Sequence, residues 1–284
     1  MPGVVARRFE GSLAEQLARP RRDGVTLYWL GQAGFVIDTP GLRIVIDPYL
    51  SNSLEAKYHG TAFPHLRMAP APLTPDELGN VDLVLCTHHH TDHLDGETLR
   101  PLAERLPGLR FVVPAASLEI AHQRIGVAID RLIGADAGDV LAPPSGLRIT
   151  VLRAAHEALE TDGAGRHKFL GFGLEVRDHR ILHSGDTIPF EGQSDEIMAF
   201  APHIALLPVN GRSQILRKAG FAGNMSLAEA MEMAGRCEVP SMIAHHHGMF
   251  AFNTVDPSAI DQAIGPAATQ LLRADYRTAF ESVL

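Results

Sequence analysis

The residues best suited to chemistry are gathered in one heptapeptide, Thr87-His88-His89-His90-Thr91-Asp92-His93, directly after the apolar run Val81 to Cys86. His88, His90, Asp92 and His93 are potential metal ligands, and packing alone does not call for so many at one strand end. The chain holds 15 histidines, and His88, His89, His90, His93, His245, His246 and His247 form two clusters. His156 and Asp186 follow further predicted strands. Imidazole nitrogens and carboxylate oxygens suit Zn, Mn or Fe, and the lack of a nearby thiolate argues against a closed structural zinc site. Lone histidines such as His122, His179 and His203 read as surface or hydrogen-bonded residues.

The spacing suggests a reaction. Beyond a strand, His88 and His90 can face one ion while a turn carries Asp92 and His93 toward a neighbouring one. Two adjacent ions need a shared ligand, and Asp186, flanked by Gly185, is the candidate bridge. Water held between two cations has a lowered pKa and is a nucleophile at neutral pH. It would attack an ester or lactone carbonyl while an ion stabilises the oxyanion. Asp92 or Asp186 would take up the proton and pass it to the leaving oxygen.

The elements that must position these groups alternate between strand and helix. Val25 to Leu30, Phe35 to Ile37 and Ile44 to Ile46 read as an antiparallel meander, and Asp47-Pro48 leaves a carboxylate at its end. Residues 51–79 are polar, proline-containing and weakly periodic, as expected of an active-site loop or lid, or of a solvated insertion. Val81 to Cys86 is a strand, Gly96 to Leu106 a helix, Phe111 to Val113 a strand and Ala115 to Ile125 a helix. Strands are expected at Ile149 to Leu152, Phe169 to Val176, Arg180 to His183, Ile204 to Pro208 and Met242 to Ala244, with a helix at Ser226 to Arg236. The candidate ligands span most of the chain, so they converge only if residues 1–284 fold as one domain of α/β layers.

Bulk properties fit that reading. With 284 residues, 45% hydrophobic and 20% charged, the chain can bury a core without disulfide staples. A net charge of −8 argues against a nucleic-acid surface. The arginines of the first 22 residues, interrupted by Glu10 and Glu15, read as a solvated end. Cys86 and Cys237 form no framework, and neither a signal-peptide core nor a run of about 18 apolar residues is present. These features predict a cytoplasmic protein without a membrane partner.

His88-His89-His90-Thr91-Asp92-His93 resembles the His-x-His-x-Asp-His hallmark of the metallo-β-lactamase superfamily. The likeness continues through Trp29-Leu30-Gly31-Gln32-Ala33-Gly34, Asp47-Pro48, the Gly138-Asp139 turn, His183-Ser184-Gly185-Asp186 and Ile243-Ala244-His245-His246-His247. That order resembles the UlaG-like branch, the L-ascorbate-6-phosphate lactonases. The resemblance covers most of residues 25–256. It implies a four-layer αββα sandwich with a dinuclear site at one edge of the two sheets. It also implies that His88, His90 and His156 hold one divalent ion and Asp92, His93 and His246 the other, with Asp186 bridging. Relatives usually carry Pro where Ala244 stands, so the choice among His245, His246 and His247 rests on spacing from that position. Asp47 would orient a ligand histidine, and His247 would stand behind the ligands or at the substrate.

The branch implies a small anionic substrate, a sugar-acid or sugar-phosphate lactone, met by cationic groups. Asn210 and Arg212 are candidate substrate contacts, followed by Arg217 and Lys218 and by Lys57, His59, His65 and Arg67 of the loop. Neither that loop nor Ser213-Gln214-Ile215 closely matches an ascorbate-6-phosphate lactonase, which points to a related hydrolase. A cyclic or small-molecule phosphodiesterase is the alternative. A true β-lactamase would carry a secretion signal and a cysteine ligand, a flavodiiron protein a Glu at His90, and a non-catalytic scaffold would have lost ligands. Symmetric oligomers are common for such enzymes, but no surface stripe argues for one.

Overall fold

A computed structural model describes residues 2–143 and 146–284. The strands begin with β1 (Gly3–Arg8), β2 (Val25–Gly31), β3 (Gly34–Thr39), β4 (Leu42–Ile46) and β5 (Leu83–Leu85). They continue with β6 (Arg110–Pro114), β7 (Leu132–Ala135), β8 (Val140–Leu141), β9 (Leu147–Arg153) and β10 (Leu170–Val176). Last come β11 (His179–His183), β12 (Ile204–Pro208), β13 (Ser241–His245), β14 (Gln270–Arg273) and β15 (Thr278–Val283). The helices are α1 (Leu13–Ala18), α2 (Ser53–Lys57), α3 (Gly96–Arg105), α4 (Leu118–Ile125), α5 (Gln193–Phe200), α6 (Gln214–Lys218), α7 (Leu227–Arg236) and α8 (Pro257–Ala263).

One sheet has eight strands in the order β1-β15-β2-β3-β4-β5-β6-β7, the other seven in the order β14-β13-β12-β11-β10-β9-β8. Side chains alternate across each strand, so each sheet has two faces to cover. Leu27, Phe35, Ile37 and Ile44 of the first sheet pack against Ile149, Phe172, Leu174 and Ile204 of the second. Behind the first sheet, Leu30, Val36, Val84 and Phe111 meet Leu13 of α1, Leu99 and Leu102 of α3, and Ile125 of α4. Behind the second, Leu182, Leu207 and Met242 meet Ile197 of α5, Met233 of α7 and Ile260 of α8. The result is the αββα sandwich expected from the resemblance.

Strand direction positions the site. β4 and β5 run parallel, so Asp47 and Thr87 emerge side by side, and the Asp47 N–H donates to the Leu85 carbonyl at 2.9 Å. β11, β12 and β13 are also parallel, which places Asp186 and His246 beyond neighbouring strand ends. The sheets touch where the Leu170 N–H donates to the Thr87 carbonyl at 3.0 Å. The predicted β2-β3-β4 meander is antiparallel as expected. Among the described residues, no helix is long and apolar enough to cross a membrane.

Three local expectations are refined. The N-terminal arginines Arg7, Arg8, Arg19 and Arg22 are exposed, as expected of a solvated end, but β1 pairs antiparallel with β15, and Arg7 and Arg22 both meet Glu281. Its partner lies at the opposite end of the chain, and local periodicity cannot reveal such pairing. Residues 51–79 contain α2 and a single 3₁₀ turn, Pro75–Leu78, whose capping box joins Thr74 and Glu77. The helix expected from Ala115 begins as a 3₁₀ turn before α4.

Gly185 is a point where the backbone tolerates no side chain. Its φ is +63°, and a Cβ there would stand 2.3 Å from the Leu170 carbonyl and 3.2 Å from the Thr87 side chain. A Gly185→Ala substitution is expected to cost about 1–3 kcal/mol and to displace Asp186. Thermal melting with metal analysis checks this, and an unchanged midpoint with unchanged metal content would refute it.

Candidate metal centre

Three overlapping sets of side chains present donor atoms that lie within 4.8 Å of one another in each set. They are His88, His90 and His156; His88, His93 and Asp186; and Asp92, His93 and His246. Asp186 joins the sets. Its Oδ2 is 3.1 Å from His246 Nε2, 3.4 Å from His93 Nε2 and 3.8 Å from His156 Nε2. His88 Nε2, His93 Nε2, His156 Nδ1 and Asp186 Oδ1 are buried without a hydrogen-bond partner. Each such atom costs about 1–3 kcal/mol unless something satisfies it. Lone pairs of imidazole and carboxylate converging in this way fit divalent cations.

The candidate ligands are held by further contacts behind them. Asp47 Oδ1 accepts the Thr87 N–H at 2.7 Å, and Oδ2 accepts the Thr87 hydroxyl at 2.6 Å. His93 Nδ1 lies 2.7 Å from Asp47 Oδ2, so this ring nitrogen donates to the carboxylate and Nε2 is turned toward the site. Arg124 donates to the carbonyls of His89 and Leu94 and so clamps the loop between them.

Gln32 is a site residue that reading the sequence missed. Its side-chain amide donates to Asp92 Oδ2 at 2.8 Å, while its backbone carbonyl accepts the His246 N–H at 2.9 Å and Trp29 Nε1–H at 3.0 Å. One turn therefore holds two ligands from opposite ends of the chain. A polar residue between Gly31 and Gly34, in a motif already tied to the site, was the available signal. His183 was missed as well. Its Nε2–H donates to the Ala33 carbonyl at 2.8 Å, and its Nδ1 accepts the Gly185 N–H at 3.1 Å.

Electrostatics keep His88, His90 and His156 neutral, as metal coordination by imidazole requires. Burial pushes the His88 pKa well below its usual value, and the neighbouring rings of His93 and His90 push the same way. Burial also lowers His90, and it takes His156 down to about 4 despite Asp186. His93 is the exception: burial opposes its charge, but Asp186, Asp47 and Asp92 outweigh burial and hold it well above the usual range. Burial raises the pKa of Asp186, yet His246 and His93 overcome that and keep it well below the usual carboxylate range. Asp92 is lowered too, since His93 and His246 outweigh burial.

The consecutive histidines at the end of β13 diverge. His246 has φ +62° and enters the ligand cluster. His245 turns into the core, its ring 5.1 Å from His183 and 5.5 Å from Phe35. His247 is buried, and its ring packs on Trp29 at 4.9 Å. Arg212, expected at the substrate, is held by Glu229 through paired contacts of 2.7 and 2.6 Å. Asn210 bonds Asn253 at 2.9 Å and Asn224 at 3.0 Å, and of these Asn253 is the one that faces the cavity. The cavity, of about 100 Å³, opens on His90, Asp92, His156, Asp186 and His246. Its other walls come from Gln32, from Leu54, Lys57, Tyr58 and His65 of the loop, from Gly220 to Ala222, and from Phe250 and Asn253.

Removing the carboxylate behind a ligand histidine should weaken metal binding without deleting a ligand. Asp47→Ala is expected to lower zinc affinity about 10–100-fold, read by competition with a chromophoric chelator. Wild-type affinity in the variant would mean that Asp47 does not hold His93 for metal.

Known proteins share both the sequence and the fold. The beta-lactamase superfamily domain matches residues 42–247. A UPF0173 metal-dependent hydrolase of Myxococcus xanthus is 29% identical over 250 residues, covering 86% of this chain and 77% of the relative. Another, from Cupriavidus taiwanensis, is 32% identical over 209 residues, covering 69% and 68%. Among solved structures, a metallo hydrolase from the archaeon Ignicoccus hospitalis superposes with a TM-score of 0.67 at 20% identity, covering 92% of this chain and 98% of its own. With the family's domain spanning the whole ligand set, the chain belongs to the metallo-β-lactamase superfamily, among its UPF0173 metal-dependent hydrolases.

Proposed function

We propose that this hydrolase cleaves a lactone or ester of a small molecule at a pair of divalent cations, zinc or manganese before iron. The observation that carries the reading is Asp186 Oδ2, which lies within 3.8 Å of His156 on one side and of His93 and His246 on the other. This supports one shared carboxylate, with His88, His90 and His156 holding one ion and Asp92, His93 and His246 the other. When bound, the cations supply Lewis acidity for the carbonyl and lower the pKa of the attacking water.

The chain's own residues orient the substrate and move the proton. Asp92 is the proton acceptor in this reading: its side chain is 17% exposed, against 4% for Asp186. The Gln32 amide fixes its carboxylate, so Asp92 can return the proton to the departing oxygen at the same place. Leu54, Tyr58 and Phe250 limit water at the reacting carbon. A reducing, cytoplasmic setting fits the buried free thiols of Cys86 and Cys237.

The resemblance to ascorbate-6-phosphate lactonases supports lactone chemistry more than it supports a phosphorylated substrate, because Arg212 is engaged by Glu229. A small-molecule or cyclic phosphodiesterase is the alternative, since a two-cation site also serves in-line attack at phosphorus. The net charge of −8 disfavours a polynucleotide.

The test is metal content with a hydrolase screen on the native protein and an Asp186→Ala variant. Lactones, sugar-phosphate lactones, p-nitrophenyl esters and cyclic phosphodiesters make up the panel. The expected result is about two ions per chain, with lactone or ester turnover falling at least ~100-fold in the variant. Phosphodiester turnover would install the alternative. A protein that neither binds nor responds to added zinc or manganese would end the proposal.

A further inference from the structure

We infer that the group flanking the bond to be cleaved is flat and apolar and packs on an aromatic wall across the cavity from the metal ligands. The hydrolase reading above supplies the reacting bond, and the wall supplies the substrate class: esters or lactones with an aryl-like acyl part, not phosphorylated sugar lactones.

The wall is assembled before any substrate arrives. His65 stacks on Tyr58 with ring centroids 4.1 Å apart and planes inclined by 21°. Phe250 meets His65 edge-on at 4.8 Å, and Phe221 lies 5.4 Å from Tyr58 and 5.3 Å from His65. Phe63 and Phe252 brace the group, each within 5.5 Å of one of these rings or of each other. Burial lowers the pKa of His65, whose Nδ1 bonds the Phe63 carbonyl, so this ring joins the wall uncharged. Three separate segments contribute, yet Tyr58 and Phe221 remain half-exposed at the cavity. Aromatic faces left open beside reactive groups are covered by a ligand at low ordering cost, because the rings already hold one another.

The charges near the cavity point the same way. A phosphate monoester carries about −1.5 to −2 at neutral pH and is best met by an arginine fork. Among the described residues, Lys57 is the one lysine or arginine lining the cavity, and it is exposed with its ammonium 5.1 Å above the Tyr58 ring. The arginines that could have served are occupied. Arg217 pairs with Glu157 at 2.7 Å and Arg212 with Glu229 at 2.6 Å. Arg67 donates to the carbonyls of Ser51 and Tyr49 at 3.0 and 2.6 Å and covers the Tyr49 ring.

The test measures binding apart from turnover. Calorimetry on zinc-loaded protein compares phenylacetate, gluconate and 6-phosphogluconate, whose carboxylates present the same group to the metals. Phenylacetate should bind at least ~10-fold tighter than gluconate, and 6-phosphogluconate no tighter than gluconate. Phe221→Ala should remove about tenfold from phenylacetate binding and leave gluconate unchanged, with zinc content confirming an intact site. Tighter binding of 6-phosphogluconate, lost in Lys57→Ala, would overturn the inference, as would equal binding of all three acids. Phenylacetate that binds as expected to a protein hydrolysing no ester or lactone would sink the hydrolase reading alone. Turnover of phenylacetyl and acetyl esters at equal kcat/KM, with no binding preference, would sink the wall alone.

Discussion

The structure depends on placing one buried carboxylate, Asp186, against a ring of imidazoles. A charge removed from water costs several kcal/mol unless partners surround it. Here the partners arrive from β5, from β9 and from β13, that is, from both sheets. Their convergence requires the strands on either side of the sheet contact to end at one place, and the Leu170–Thr87 hydrogen bond marks where the sheets meet. The helices complete the arrangement by burying the outer faces, so that the seam stays fixed.

That convergence is held by backbone conformations that side chains ordinarily avoid. Gln32, Asp47, Glu157 and His246 have φ of 50°, 44°, 68° and 62°. Each is a candidate ligand, sits next to one, or bonds to one. Such residues cost about 1–3 kcal/mol and persist only where surrounding contacts over-determine them. Asp47 makes three contacts of 2.7 Å or less, and Gln32 makes three of 2.8 to 3.0 Å. The strain falls where it aims a donor atom, which is how a positioned site differs from a merely histidine-rich one.

Charge elsewhere in the molecule serves architecture. Arg43 is buried and bonds Asp38, the Leu78 carbonyl and the Leu17 carbonyl, tying α1 and the 3₁₀ turn to the first sheet. Arg124 and Arg131 cap carbonyls at loop and helix ends. Arginine suits this use because its planar fork satisfies several acceptors at once. Among the described residues, Lys57 is the one lysine or arginine lining the cavity, alongside Tyr58, Phe221 and Phe250.

Much of the site was legible in the chain. The density of ligands in His88 to His93, the strand before it, and the glycine beside Asp186 are local signals, set by side-chain chemistry and by period-two burial. Every strand from β2 to β5 was placed to within a few residues for the same reason. Other features were not local. His246 differs from His245 and His247 only through the backbone bend that its N–H bond to Gln32 maintains, so composition could not choose among the three. Arg212 looked available until the fold brought Glu229 beneath it, and nothing local announced that β1 would pair with β15. The amino-acid sequence determined which groups were present and which faces sought burial. The tertiary structure decided where each group pointed, because direction at the end of a strand depends on hydrogen bonds to residues that are distant in sequence and adjacent only once the sheets have packed.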